Sequence, residues 1–310
     1  MISTPCNATH PKIRIMEYYL QLFVNGLVVG SIYSLVALGF VIIYKATKVV
    51  NFAQGEMVMV GAYICFALTV QMGLPFLVSF LMTLVFSVIL GLCIERVILR
   101  PLIGEPIISV IMVTVGLSTV LKSLVQLFWG TQIRVYPPIL PTDPIWIAGV
   151  PVAPVYIAAF VLSALLFAVF SLFFKYSRTG IAMRATAMDQ QAAQSMGIGV
   201  KNIFALSWCI AAVVSSIGGI ILGNINGINA QLGHLGLKVF PAVILGGLDS
   251  LLGAALGGLI IGVLENVADG FMQQVFSLPG FKEVAAYVVL VIILMLRPYG
   301  LFGTHEIERV

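Results

Sequence analysis

Five stretches of this sequence contain no Asp, Glu, Lys or Arg: Tyr18 to Tyr44, Met57 to Ile94, Pro106 to Leu121, Pro144 to Phe174 and Asn202 to Leu237. A helix needs about 20 apolar residues to cross a hydrocarbon core of roughly 30 Å, and each of these runs is that long or nearly so. Inside hydrocarbon no water satisfies a peptide N–H or C=O, so such runs must be helices unless they close into a barrel. Barrel strands alternate apolar and polar residues over about ten positions, and no such alternation occurs here. Composition agrees, since 60% of the chain is apolar and 9% is charged, against roughly 25% charged in soluble domains. A water-soluble fold is excluded.

The formal charge of +4 is small and dispersed, with no Lys/Arg cluster to track phosphates, so nucleic acid is not an expected partner. Three of the four cysteines, Cys65, Cys93 and Cys209, fall in apolar runs and read as small hydrophobic fillers, as distinct from a disulfide framework with Cys6. His10, His234 and His305 are scattered, so no metal site is expected, and His234 reads as a solvated loop residue. No Gly-Lys pair occurs, so there is no P-loop to hold a nucleotide. No nucleophile–base arrangement stands out either; the chain reads as a non-enzyme without a cofactor of its own. The segment Met1 to Glu17 lacks the basic-then-apolar order of a signal peptide, and Asn7-Ala8-Thr9 matches a short glycosylation sequon.

Crossings are expected near 18–44, 50–71, 76–95, 106–129, 152–174, 202–223 and 284–297. Lys and Arg favour the cytoplasmic side. The one long polar segment, Lys175 to Lys201, carries Lys175, Arg178, Arg184 and Lys201 against Asp189 and is therefore placed inside. Counting outward puts the Pro-rich link Thr131 to Pro151 and the N-terminus outside. The stretch 239–264 decides the parity of the C-terminus. If Gly246, Gly247 and Asp249 break it into a hairpin of two short helices, Arg297 falls inside, and the inner segments hold ten Lys/Arg against five outside. The expected fold is thus an all-α integral membrane protein: a polytopic helical bundle of eight or nine spans with a broken-helix hairpin. Phe86 to Glu95 also resembles Gly257 to Glu265 in pattern, which suggests an inverted repeat with a solute route at broken helices near the midplane. By domain, 1–17 is an external tail, 18–303 one transmembrane unit with 175–201 as its cytoplasmic loop, and 304–310 a cytoplasmic tail.

Glycines recur at four-residue spacing in Gly26/Gly30, Gly219/Gly223, Gly253/Gly257 and Gly258/Gly262. That spacing suits close helix packing within one chain, with dimerisation or a sliding surface as the alternative. Two polar interruptions are candidates for the route. In the first, Asn51, Phe52, Gln54, Gly55 and Glu56 head an otherwise uncharged span. Polar groups at that depth must line water or protein, although Asn51 could equally cap a helix start, with Glu56 at its positive end. The second is Phe240 to Ser250, where Gly246 and Gly247 allow a bend and Asp249 can cap the next helix. In the cytoplasmic segment Ile181, Ala185, Met188, Ala192 and Met196 follow helical spacing, with Arg184, Asp189, Gln190, Gln191 and Gln194 on other faces and Gly197 as a C-terminal stop. Such a helix suits docking into a partner's groove, or alternatively rests on lipid headgroups.

Several stretches taken together are similar to one family: Asn51 to Glu56 followed by Gly61-Ala62-Tyr63, Glu95-Arg96 with Arg100-Pro101, Tyr176 to Gly180, Ala192-Ala193 with Met196 to Ile198, and Ala242 to Leu248. The ordered set resembles the LivH-type permeases of branched-chain amino-acid ABC importers, from about Met16 to the end, with Asp249 departing from the small residue common there. The resemblance implies a type II importer fold that forms the path for aliphatic amino acids in the bacterial inner membrane. It also implies as partners a second homologous permease, two ATPase subunits that bind the ATP, and a periplasmic or extracellular solute-binding protein. It carries ATPase coupling onto Arg178, Gly180, Arg184, Asp189, Ala192, Ala193 and Gly197, and the route onto Asn51–Glu56 and 240–250. Rival readings are a urea or short-chain amide importer, a passive channel, and an ion-coupled transporter. The last needs titratable groups at the midplane, and Glu56, Glu95, Glu265 and Asp269 map near span ends.

Overall fold

The computed structural model describes residues 11–137, 141, 143–147, 150–277, 280–297 and 300–303. Cys6, the sequon at Asn7, His10, His305 and the tail 304–310 lie outside the described residues. The chain runs α1 (Pro11–Thr47), α2 (Gln54–Phe66), α3 (Phe76–Cys93), α4 (Ile107–Trp129), a small hairpin β1 (Ile145–Ile147) and β2 (Val150–Val152), then α5 (Pro154–Tyr176). It continues through α6 (Arg178–Met188), α7 (Gln190–Ser195), α8 (Val200–Asn226), α9 (Leu235–Gly246), α10 (Leu251–Phe276) and α11 (Phe281–Leu296). Among the described residues, six helices are long and apolar enough to cross a membrane. With the shorter α2, α9 and α11 the chain is a multi-pass helical bundle. The antiparallel hairpin, with Ile145 opposite Val152, decorates the outer link and leaves the all-α architecture intact.

Helices α1 and α8 form the centre. The apolar window of α1 is 89% buried whereas that of α5 is 17% buried, so α1 is sheathed by protein and α5 faces outward, where apolar side chains suit lipid. The glycine spacing explains how α1 packs so closely on α10. A methyl at Gly30 would stand 2.8 Å from the Leu259 Cα, and one at Gly26 2.7 Å from the Val263 Cα, because Gly258 and Gly262 face them. Main chains can approach this far only without side chains between them. Gly219 meets Val58, Gly223 meets Tyr136, and Gly253 and Gly257 meet α9, so all four pairs serve packing inside the chain.

The likeness between residues 86–95 and 257–265 has a structural counterpart. On α3, Ser87 and Gly91 face α8, where the Ser87 hydroxyl donates to Ser216 Oγ at 2.6 Å. On α10, Gly258 and Gly262 face α1, and Ser34 donates to the Ala255 carbonyl at 2.7 Å. Each strip ends in a buried acid: Glu95 is held bidentate by Arg100, and Glu265 accepts from the Tyr33 hydroxyl at 2.9 Å. The pair α1/α10 thus mirrors α8/α3, as an inverted repeat requires.

Three expected elements come out differently. Helix α1 begins at Pro11, so its first turns occupy part of the segment expected to be tail. The stretch 239–264 does turn at Gly246–Ser250, yet its second arm is the 26-residue α10, long enough to span, because Gly253, Gly257, Gly258 and Gly262 anchor it along α9 and α1. The segment 175–201 holds two helices and not one. The Asp189 side chain accepts from Gln191 N at 2.8 Å and Ala192 N at 2.9 Å, and capping a new helix start ends the preceding one.

Candidate functional site

After Thr47 the chain turns back into the protein without helical structure and restarts as α2 at Gln54. Depth follows from neighbours. Gln54 Nε2 donates to Ser215 Oγ at 2.6 Å, and Ser215 lies about 22 Å along α8 from its inner end at 1.5 Å per residue. Helix α2 therefore begins near mid-membrane and runs outward beside α8 to the outer rim. There the buried Tyr136 hydroxyl donates to the Ala62 carbonyl at 2.6 Å. Burial pushes that hydroxyl well above the ordinary phenol range and keeps it a donor.

The non-helical approach is held by side chains. Asn51 Oδ1 accepts from Ala53 N at 3.0 Å, and Asn51 Nδ2 donates to Gln54 Oε1 at 3.2 Å. Phe52 N donates to Thr114 Oγ1 on α4 at 3.3 Å. Asn51 and Gln54 are fully buried, where an unmet amide is costly. Asn51 thus shapes the loop ahead of the helix. The residue at the helix start is Ala53, which makes no side-chain cap, and Glu56 stands in the first turn at the positive end of α2.

A second break answers the first. Helix α8 ends at Asn226, the chain pairs with the outer link through Ile228 and Arg134 (2.8 and 2.7 Å), passes one tight turn at Ala230–His234, and starts α9 at Leu235. The two starts meet. A methyl on Gly236 would lie 2.7 Å from Gly55 N, and Gly233 backs onto the Glu56 carboxyl. Two half-helices of opposite direction thus bring their N-termini together in the membrane, with Glu56 between them. Beside the second break lies a cavity of about 430 Å³ that includes Asn226, Asn229, Gln231, Lys238, Asn266 and Lys282.

Gly246, Gly247 and Asp249 lie elsewhere. They sit at the far end of α9, where Gly247 takes φ +101° and the Lys45 ammonium donates to the Asp249 carbonyl at 3.0 Å. The intervening helix has 12 residues, about 18 Å, so this turn lies a helix length away from the Asn51–Glu56 segment. Phe240 joins the two regions, its ring 5.7 Å from that of Phe52. The structure also brings in residues that the sequence did not single out: Ser215, Thr114, and above all Lys122 on α4, whose Nζ is 3.1 Å from His234 Nε2. Lys122 ends a charge-free run, and that isolation is the one signal the sequence offers for it.

In the segment 175–201 Ser177 Oγ caps α6 by accepting from Gly180 N at 2.9 Å. Gly180 lies against Phe173 and Phe174, which fixes α6 to the end of α5. Met183, Thr186 and Ala193 pack inward. Arg178, Arg184, Asp189, Ala192 and Gly197 are exposed, and Gly197 closes α7 with φ +82°. The apolar stripe divides: Ala185 is half-buried, but Met188 and Met196 are 88% and 85% exposed, leaving two thioether side chains on the surface.

The profile of the family described as branched-chain amino acid transport system / permease component matches residues 22–296. The high-affinity branched-chain amino acid transport system permease protein BraD of Pseudomonas aeruginosa is 36% identical over 94% of this chain and 98% of its own. The corresponding protein LivH of Escherichia coli is 31% identical over 94% and 98%. A probable branched-chain amino acid transport permease protein LivH of Methanocaldococcus jannaschii is 28% identical over 94% and 95%. In fold the chain is similar to one in the solved structure of PsaBC from Streptococcus pneumoniae in complex with Fab. There the TM-score is 0.50 at 14% identity, covering 91% of this chain and 93% of that one.

Proposed function

The chain belongs to the branched-chain amino acid permease family, and from that membership we propose that it forms the membrane path of an ATP-driven importer for aliphatic amino acids. The observation that carries this reading is the meeting of the α2 and α9 N-termini in the membrane interior. Broken helices there give a solute polar main-chain partners that a continuous span lacks. The assembly would comprise this chain, a second homologous permease, two ATPase subunits that bind the ATP, and a solute-binding protein outside, in the bacterial inner membrane. The chain itself would hold no cofactor. ATP binding in the partners shifts the permease between outward and inward states only if it favours one of them.

The coupling surface would be α6 and α7. Gly180 ties α6 to α5, so a push on α6 is passed to a membrane helix as rigid-body motion. The exposed Met188 and Met196, together with Ala192 and Gly197, offer a partner's groove an adaptable apolar contact. Ala192→Arg and Gly197→Trp are each expected to abolish ATP-driven uptake while membrane insertion persists. Uptake retained with both substitutions would reject the docking role. Reconstitution supplies the wider test: the purified chain alone should concentrate nothing, and L-leucine accumulation should require ATP, both ATPases, the sister permease and the binding protein. Uphill transport by the isolated chain would overturn the proposal.

A further inference from the structure

We infer that Glu56, Lys122 and His234 form a polar waypoint that receives the two charged ends of a zwitterionic α-amino acid as it passes through the membrane. The inference rests on the importer reading above and names the chemistry of its route. Lys122 lies about 22 Å from the inner end of α4, well inside the hydrocarbon depth, and is half-exposed on the surface of this chain. His234, beside it, is exposed. Charged groups at that depth are tolerated only where they face water or protein, so this face does not meet lipid. The glycine and hydroxyl surface of the same helix, Gly116, Thr119 and Ser123, is also exposed.

The three groups are arranged in an unusual way. The Lys122 ammonium is 3.1 Å from His234 Nε2, which makes that ring nitrogen the acceptor and puts the imidazole proton on Nδ1. This uses one of three ammonium donors. Glu56, 8% exposed, backs onto Gly233, the chain neighbour of His234, whose ring meets Lys122. Yet among the described residues neither Glu56 nor Lys122 has an opposite charge within ion-pair distance. A structural ion pair in so poorly solvated a place gains most by closing to contact. An open pair instead leaves room for a ligand carrying the inverse pair. The solute ammonium would lie toward Glu56, and the carboxylate toward Lys122 and the positive ends of α2 and α9. Phe52, Phe240 and the exposed Leu237 provide apolar surface nearby for an aliphatic side chain. Urea, which has no charged ends, could hydrogen-bond to these groups but would gain no ion-pair attraction from them. The site needs to bind weakly, since a route must release what it admits.

The test uses the complete importer in proteoliposomes, with L-leucine uptake and binding-protein-stimulated ATP hydrolysis measured together. Lys122→Gln and Glu56→Gln are each expected to reduce uptake per ATP about tenfold, the size of one charge-assisted contact. Stimulated hydrolysis should be retained, and Lys122→Arg should recover most of the uptake. A second measurement reads occupancy. In a chain with Cys6, Cys65, Cys93 and Cys209 replaced by Ser, Thr119→Cys sits one turn before Lys122 and is labelled with a charged thiol reagent. L-leucine should slow labelling, L-leucinol, which lacks the carboxylate, should not, and Lys122→Gln should remove the protection. Unchanged uptake in both charge variants, equal protection by L-leucinol, or loss of stimulated hydrolysis in both variants would overturn the waypoint. A wild-type complex with no stimulated hydrolysis would instead reject the importer reading, and this inference with it.

Discussion

The two breaks that meet at Gly55 and Gly236 do the same job by different means. The first, residues 48–53, becomes fully buried at Asn51 and Ala53 and is held by side chains: Asn51 on Ala53 and Gln54, Gln54 on Ser215, and Thr114 on Phe52. The second, residues 227–234, lies against the outer link and a polar cavity and is held mostly by main chain, through the paired bonds of Ile228 and Arg134. Where the chain is fully buried without helical structure, as at Asn51 and Ala53, it has to bring its own hydrogen-bond partners. One that borders a water-sized space can leave several groups to solvent. The difference teaches that the first break is the rigid half of the site and the second the adaptable half.

The largest expected effect tests what the two share. A side chain on Gly55 would meet Gly233 and stand 2.6 Å from Gly236 N, and one on Gly236 would stand 2.7 Å from Gly55 N. Gly55→Leu and Gly236→Leu should therefore be about equally damaging, each costing ~3 kcal/mol, the upper end for overpacking. Both should abolish uptake. Thermal stability in detergent checks the first statement and proteoliposome uptake the second. If one variant is tolerated and the other is not, the helix starts do not form the shared contact.

The next prediction separates the two halves. Gln54→Ala removes the 2.6 Å bond to Ser215 and the partner of Asn51 from a fully buried place, so it should cost about 2 kcal/mol. A double-mutant cycle with Ser215→Ala should show a coupling of ~1 kcal/mol. Ser215→Ala should cost less: it removes the hydroxyl and both its bonds, but the Ala211 carbonyl that the hydroxyl bonds at 2.7 Å keeps its helical N–H partner, so only Gln54 Nε2 is left unmet.

The same contrast explains what the sequence reveals. The first break is legible: Asn51, Gln54 and Glu56 have no reason to sit at the head of an uncharged run unless the chain is irregular there. The bundle is legible too, since charge-free length maps directly onto spans, and the glycine pairs onto helix contacts. Sequence pattern puts a break at Gly246–Asp249, where the chain does turn, but the break that meets Gly55 ends twelve residues earlier, at His234. The stretch from Gly223 to Lys238 reads as an ordinary external loop, and nothing local says that part of it dips to meet Gly55. That depth is set by tertiary contacts with α2, which no single-segment pattern contains. Lys122 escapes for a related reason: a lone lysine near the end of a span usually snorkels outward, and only the fold shows it beside His234. The division of the cytoplasmic segment at Asp189 turns on competition between one side chain and the helix it interrupts, and spacing alone does not decide it.

The smallest effect gives the sharpest contrast between the breaks. Asn229 holds the second one as Gln54 holds the first, its side chain accepting from Gln231 N at 2.9 Å at the start of the tight turn. Asn229 borders the polar cavity and Gln231 is exposed, so water replaces whatever the side chain gives up. Asn229→Ala should cost no more than ~1 kcal/mol, the ordinary value of a lost cap, and Asn229→Gly only a few tenths. Since Ile228 and Arg134 keep their pairing in either variant, uptake should persist. A loss from Asn229→Ala as large as that from Gln54→Ala would mean the second break is as dry and as side-chain-dependent as the first. The distinction between a rigid and an adaptable half would then fail.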